Sequence, residues 1–353
     1  MNFANATEKY EAWLGRRLKL IPEDLERKHA AMRSAPFPFL RATFYRWAQV
    51  WEEVCGAAAR APKVLAVGDL HVENFGTWRD IEGRLVWGIN DFDEAWPLPY
   101  TNDLIRLAAS ALLAEMAGGP KAAVSAILQG YRDGVAAAGR PYVLAEHHPA
   151  LRAMAIHRLH DPEAFWGKLR DLPPCGSVPK GADKAIARLM PERGMEWKVA
   201  HRIAGLGSLG RERYVALAEW RGGSVAREAK ALAPSACLWA ARRGSPVLLY
   251  QKILDGAVRC RDPFVKLQKR WIVRRLAPDC SRIELSALPG ERDEFRLLHA
   301  MGFETANVHL GSVKPRVLAA DLHQRRGPWL YRAARAMEKA VRGDFAAWSS
   351  AGA

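Results

Sequence analysis

Asp69 and Asn74 stand five positions apart in VGDLHVENFG, residues 67–76, after the apolar run KVLAV; Asp91 follows a second apolar run, RLVWGI. Neighbouring strands could deliver all three side chains to one place. Two carboxylates and a carboxamide suit Mg-assisted phosphoryl transfer: one base beside an acceptor hydroxyl, and two oxygen ligands for the metal. On that reading Asp69 is the base, and Asn74 and Asp91 hold Mg²⁺. Segments rich in Asp, Asn and Gly also form plain turns, which is the competing reading. His71 is expected to brace the same loop, with a general-base role as the lesser alternative. Asp93, two residues beyond Asp91, could serve a second metal or simply bond the loop.

Phosphoryl transfer also needs groups that hold phosphates. Gly205-Leu-Gly-Ser-Leu-Gly210 is a G-x-G-x-x-G. In a dinucleotide-binding fold such a loop opens a helix. Here WKVAHRIA precedes it and RERYVALAEW follows, both strand-like, and the second ends at Arg221-Gly222-Gly223. A strand–Gly-loop–strand unit can lay backbone amides over phosphates. Gly205, Gly207, Ser208 and Gly210 are therefore expected to bind nucleotide, Ser208 through a contact at the loop tip. The next strand, SVAREAK, carries Lys230, whose ammonium could reach the α and β phosphates. The bland alternative is a hairpin with a surface lysine.

The Asp-x-x-x-x-Asn loop resembles a kinase catalytic loop, and its DLH variant is similar to the aminoglycoside-phosphotransferase branch. The order is inverted, because kinases place the Gly loop and lysine first. A circular permutation would account for this, since domain termini often lie close together at the surface. It demands a hinge and a helix after the small lobe. Trp271–Leu276 reads as the strand, Ala277–Ser281 as the connector and Glu291–His309 as the helix.

The chain resembles the bacterial family called domain of unknown function 2252, a kinase-like group. The resemblance rests on APFPFLRAT (35–43), VGDLHVENFG, INDFDEAWPLPYTNDLIRLAAS (89–110), RIAGLGSLGRERYVAL (202–217), KALAPSA (230–236) and WIVRRLAPDCSRIEL (271–285). It implies an α/β (α+β), two-lobed, protein-kinase-like fold, circularly permuted, with a helix-rich large lobe, and ATP with Mg²⁺ as cofactors. Asp103 resembles an aspartate that braces the catalytic loop, and Arg41 could face the site or form a structural salt bridge. The family tends to carry Lys-Glu-Ala where this chain has Lys230-Ala-Leu, with Arg227-Glu-Ala just upstream. Lys230 keeps the spacing to Pro234-Ser235 and is preferred, with Arg227 the alternative. Gln251 falls where a kinase places the glutamate partner of the lysine.

These side chains need elements to position them. Helices are expected at 7–18, 22–33 and 39–55, the last with an aromatic core stripe of Phe44, Tyr45, Trp47 and Trp51. Glu82-Gly83 reads as a turn. Asn102 could cap a helix over 103–116, ended by Gly118-Gly119, and another helix is expected over roughly 121–138. Residues 1–195 would form the large-lobe part with both loops, and 140–195 a helical, substrate-side insertion. Residues 196–275 would cover the nucleotide, with the backbone near Arg274–Ala277 meeting the adenine. Residues 276–353 would supply the hinge and helices that rejoin the large lobe.

Composition bounds the rest. A 353-residue chain with 49% apolar and 26% charged residues is long enough for a substantial core. There is no secretory h-region, and the longest apolar stretch is too short to span a bilayer, so no membrane partner is expected. Five separated cysteines without a C-x-x-C suggest reduced thiols and a cytoplasmic setting. A net charge of +15 could mark nucleic-acid binding. The basic clusters Arg16-Arg17, Arg242-Arg243, Arg274-Arg275 and Arg325-Arg326 are short and scattered, so that partner is not favoured. His147, His148, His157 and His160 are read as surface or core residues, and Ser208 lacks the context of a hydrolase nucleophile. The expected function is ATP·Mg-dependent phosphoryl transfer to an unidentified small-molecule or protein acceptor. Nucleotidyl transfer and an inactive nucleotide-binding scaffold are the alternatives.

Overall fold

Among the described residues, short strands pair into three antiparallel sheets. The computed structural model describes residues 2–115, 119–144, 148–156, 161–242, 244–280 and 291–350, with the side chains of 291–293 excepted. Strands β1 (Lys63–Ala66) and β4 (Trp96–Pro99) pair with each other. Strands β2 (Phe75–Arg79), β3 (Leu85–Ile89) and β5 (Tyr142–Val143) form a second sheet. The third contains β6 (Lys198–His201), β7 (Arg213–Trp220), β8 (Gly223–Ala231), β9 (Lys266–Gln268) and β10 (Trp271–Leu276) in the order β6-β7-β8-β10-β9. The fold is a mixed α/β one in which helices predominate.

Side chains on a strand alternate between faces, so register decides which residues of the five-stranded sheet share a side. Lys230 lies between Arg213 and Ile272, and Glu228 between Val215 and Arg274. Lys230, Glu228, Arg213 and Arg274 therefore occupy one face. Ala229, Ala231, Tyr214, Ala216, Trp271 and Val273 occupy the other and pack on Ala182, Ala185 and Ile186 of helix Lys180–Ala187. Leu169, from helix Pro162–Arg170, packs with Val215, Ala226 and Leu276. The later part of the segment expected as a substrate-side insertion thus covers this sheet, whereas Tyr142, Leu144, Leu151 and Met154 join the main core.

The remaining helices enclose a continuous core. Helix Thr101–Leu113 is buried along its whole length, including Asp103 and Arg106. Helix Pro120–Ala136 crosses Glu291–His309 with Gly130 and Gly302 at the contact, where neither side could hold a Cβ. Phe44, Tyr45, Trp47 and Trp51 are buried, as the helical stripe predicts. The single helix expected over 39–55 is instead two, Pro36–Ala42 and Phe44–Cys55. At the break Thr43 leaves helical geometry (φ −125°, ψ 36°) and its Oγ1 donates to the Phe39 carbonyl at 2.7 Å. A β-branched hydroxyl residue readily makes this local bond, which competes with helix propagation. The helix expected over 103–116 spans Thr101–Leu113, and Asn102 lies inside it. Its Nδ2 donates to Asp103, so Asn102 is not the helix cap. Residues 116–118, 147, 157, 160 and 243 lie outside the described residues, and so does most of the histidine group. All five cysteines are free thiols, and no described helix is long and apolar enough to cross a membrane.

Candidate functional site

Strand β1 ends at Ala66, and the chain turns at Gly68 (φ +82°), which places Asp69 at the start of the loop. Asp103 fixes this turn. Its Oδ2 accepts the Val67 amide at 2.7 Å and its Oδ1 accepts the Gly68 amide at 3.0 Å. His309 Nε2 meets Asp103 Oδ2 at 3.0 Å, and His309 Nδ1 meets the Tyr131 hydroxyl at 2.9 Å. Asp103 and His309 are both fully buried. The bracing expected of Asp103 is observed, and its histidine comes from the helix Glu291–His309.

Asp69 Oδ1 is held by Arg106, whose Nε donates at 2.9 Å and whose Nη2 also contacts it. Arg106 is wedged between Phe44 and Trp47 and donates to the Leu40 carbonyl. Burial pushes the Asp69 carboxyl above its ordinary range, and Arg106 opposes that push. Asn74 Oδ1 accepts the His71 amide at 2.7 Å, which closes the loop on itself. That oxygen retains a second lone pair. His71 Nδ1 accepts the Glu73 amide at 3.2 Å, in keeping with a bracing role. Arg41 makes a 2.6 Å salt bridge to Glu73 and also lines the small cavity beside Asp69.

Asp91 and Asp93 leave β3 and meet Lys230 on β8. The ammonium is 2.6 Å from Asp93 Oδ1 and 3.3 Å from Asp91 Oδ2, with 139 positions separating Lys230 from Asp91. Burial disfavours the Asp91 charge, but Lys230 and then Arg274 and Arg213 hold its carboxyl far below the usual range. Asp93 shifts the other way, pushed up by burial and by the neighbouring Asp91 charge. Arg227 faces the opposite side of the sheet, where it donates to the Leu189 carbonyl and stacks on Phe264. Lys230 is three positions from Arg227, an odd offset, so strand alternation puts only Lys230 among the carboxylates. Gln251 does not partner the lysine. Its Oε1 accepts the Leu267 amide and its Nε2 donates to Asp255.

The Gly loop lies directly over Asp69. Gly205 and Gly210 have φ of +74° and +91°, Leu206–Ser208 form one 3-10 turn, and β7 follows. The loop opens a strand, as expected. A Cβ on Gly207 would lie 2.9 Å from the Arg41 carbonyl and 3.2 Å from Asp69 Oδ2, so only glycine permits this approach. Ser208 is not at an exposed tip. Its hydroxyl donates to the Gly205 carbonyl and accepts from Arg213 at 2.7 Å. The loop is anchored from below by the Ile21 amide, which donates to the Gly210 carbonyl.

A small cavity of about 40 Å³ is lined by Arg41, Asp69, His71, Asn74, Asp91 and Asp93 on one side and by Gly205, Gly207 and Ser208 on the other. Arg211 also lines it. Its Nη2 donates to Glu94 at 3.1 Å, while Nη1 is buried without a hydrogen-bond partner among the described residues. Arg41 Nε is in the same condition. Arg211 Nη1 lies 3.6 Å from Asp93 Oδ2, beyond hydrogen-bond reach, so Arg41 Nε and Arg211 Nη1 both retain donor capacity that suits an anionic oxygen at this cavity. Asn74 and Asp91 offer hard oxygen donors of the kind Mg²⁺ takes, and Mg²⁺ is commonly held by one or two protein oxygens plus phosphates and waters. No group of three His, Cys, Asp or Glu poised for a metal occurs among the described residues.

Gly205 is shared with a larger cleft of about 620 Å³, within the range of small-molecule sites. Arg274, Arg275 and Leu276 of β10 line it, together with Arg202, Arg213, Arg259 and Arg261. In its wall the buried Glu228 carboxylate contacts Arg202, Arg213 at 3.0 Å and Arg274 at 2.8 Å. These guanidiniums hold the Glu228 carboxyl well below its ordinary range against the cost of burial. Arg106, Arg211, Arg213 and Glu228 were not expected from the sequence. The available signal was a charge inside an otherwise apolar element, as in LIRLAASALL, because a buried charge requires a partner.

No curated protein and no solved structure matches the chain. Residues 17–159, which carry Arg41, Asp69, Asn74, Asp91 and Asp103 but neither the Gly loop nor Lys230, match a bacterial family described as uncharacterized proteins conserved in bacteria, domain of unknown function 2252.

Proposed function

We propose that the chain binds ATP with Mg²⁺ and transfers a phosphoryl group to an acceptor, on a two-lobed, kinase-like scaffold whose parts occur in permuted order. The observation that carries this reading is the meeting of Lys230 with Asp91 beneath a Gly loop that covers Asp69. Asp69 has one oxygen committed to Arg106, which leaves Oδ2, the oxygen nearest Gly207, to receive an acceptor proton. Asn74 and Asp91 would hold Mg²⁺, which would supply positive charge to offset that of the phosphates. Lys230, Arg211 and the amides of Gly205–Gly210 would steady the phosphates, and the β10 side of the large cleft would take the base.

A second reading is favoured by one observation. Six arginines line the large cleft, an unusual setting for a nucleobase and a good one for phosphates. A nucleotide bound in the reverse sense would put its triphosphate there, and AMP would be transferred.

The test uses ATP labelled separately on the α and γ phosphates, with candidate acceptors. Transfer of γ label supports the first reading, and transfer of α label the second. Transfer of neither, with retained binding, leaves a nucleotide-binding scaffold. Binding itself is read from the melting temperature, which a ligand selective for the folded state raises by mass action. Asp91→Ala should remove the Mg-dependent part of that rise. No rise at millimolar ATP and Mg²⁺ would defeat every nucleotide-based reading.

A further inference from the structure

A second concave surface lies apart from this site and uses none of its residues. Two cavities of about 790 and 550 Å³ share Arg16, Arg17 and Pro246 and so form one continuous groove. Lys9 and Arg242 line the first cavity, Arg270 lines the second, and no carboxylate lines either. Folding brings together basic residues that the sequence keeps more than two hundred positions apart. Lys9, Arg16, Arg17 and Arg242 have no carboxylate partner among the described residues, whereas most arginines of the large cleft do or lie beside one. Partial desolvation, and to a lesser degree the adjacent Arg16 charge, lowers the basicity of Arg17.

We infer that this groove binds a single strand of nucleic acid, its phosphates on the arginine rim and its bases on the groove floor. Charge complementarity selects a polyanion. The rim is mostly arginine, whose planar fork matches phosphate oxygens in pairs. The floor separates nucleic acid from other anions. The Arg17 guanidinium lies over the Trp13 ring at 3.9 Å, and Arg17 itself is exposed. The outer face of that stack is flat and cationic, a surface on which an unpaired base can continue the stack. An acidic peptide has no use for such a platform, and a membrane surface is too flat for a groove. Arg16-Arg17 and Arg242, from two of the short basic clusters, thus converge in three dimensions.

The test measures fluorescence anisotropy of a labelled oligouridylate of about 20 nucleotides with the full chain across a salt series. Each phosphate contact on a single strand steepens the log–log salt dependence by about 0.7. The triple variant Arg16→Gln, Arg17→Gln, Arg242→Asn removes two rim cations and the stacking platform, so it should flatten the slope by about 1.4 and weaken binding at least tenfold at low salt. Asparagine is chosen at 242 because that residue has φ of +54°. All three side chains are exposed, so an unchanged melting temperature should accompany the loss. Absence of binding at about 50 mM salt overturns the inference, as does a triple variant with unaltered slope. Polyglutamate that competes as well as unlabelled oligouridylate also overturns it, because the groove would then read charge alone.

Discussion

Lys230→Met tests the electrostatic centre of the site without any ligand. Methionine keeps most of the aliphatic volume and removes the charge. Lys230 is 2% exposed, Asp93 10% and Asp91 24%. The variant strands two carboxylates that the ammonium now holds at 2.6 and 3.3 Å. Breaking a buried ion pair by deleting one partner costs about 3–5 kcal/mol. Asp91 is partly solvated, and Arg211 stays 3.6 Å from Asp93, so the expected loss is about 3 kcal/mol near pH 8. The loss should depend on pH with a definite sign. Unfolded carboxylates titrate near pH 4. In the folded variant both pKa values rise, so the folded state holds extra protons and its stability falls as pH increases from about 4. Each unit of upward shift is about 1.4 kcal/mol, so a loss of about 3 kcal/mol is about two units and up to about half of it should disappear at pH 5. Urea unfolding of wild type and variant at pH 5 and pH 8 reads both quantities. A loss under about 1 kcal/mol at pH 8, or the same loss at both pH values, would refute the assignment of Lys230 as counter-ion to both carboxylates.

Three further outcomes are expected. Burial pushes Glu304 up to about 7, against Arg259 and the bonds from Asn307 and Ile89, so wild-type stability should decline as pH rises from about 4.5 to 7. Glu304→Gln should abolish that segment of the decline, worth up to about 3 kcal/mol, in urea melts at pH 5 and pH 8. Gly207→Ala should cost about 1–3 kcal/mol by thermal denaturation, because its Cβ would press on the Arg41 carbonyl and Asp69; an unchanged melting temperature would mean that the loop does not rest on Asp69. Asp69→Asn should lower turnover about 10²–10⁴-fold with nucleotide affinity little altered, and equal activity would reassign Asp69 to structure.

What the sequence disclosed and what it withheld follow a physical division. Spacing within one loop was readable, so Asp69, Asn74, Asp91 and the Gly loop were found, and the cavity gathers all of them. Strand alternation could have chosen Lys230 over Arg227, since an odd separation sends the two to opposite faces. The break at Thr43 was hidden because aromatic periodicity continues through it, and only the hydroxyl signals the competing bond. Pairings across the chain had no local trace. Nothing near Arg106 names Asp69 as its partner, and nothing near Glu228 names Arg202 or Arg274. The same holds for Gln251, whose position suggested the lysine and whose actual partners are Leu267 and Asp255.

The bond from His309 to Asp103 spans 206 positions and has a consequence for synthesis. At ribosomal speeds of about 5–20 residues per second, Asp103 leaves the tunnel roughly ten to forty seconds before its imidazole partner exists. Until then the Val67–Gly68 turn is held by a carboxylate with no counterpart, and Lys230 has only recently emerged to meet Asp91. The loops holding Asp69 and Asp91 are therefore made well before the helix whose histidine fixes the turn beside Asp69. A nascent chain therefore carries Asp69, Asp91 and Asp93 for some time before Lys230 and then His309 are added.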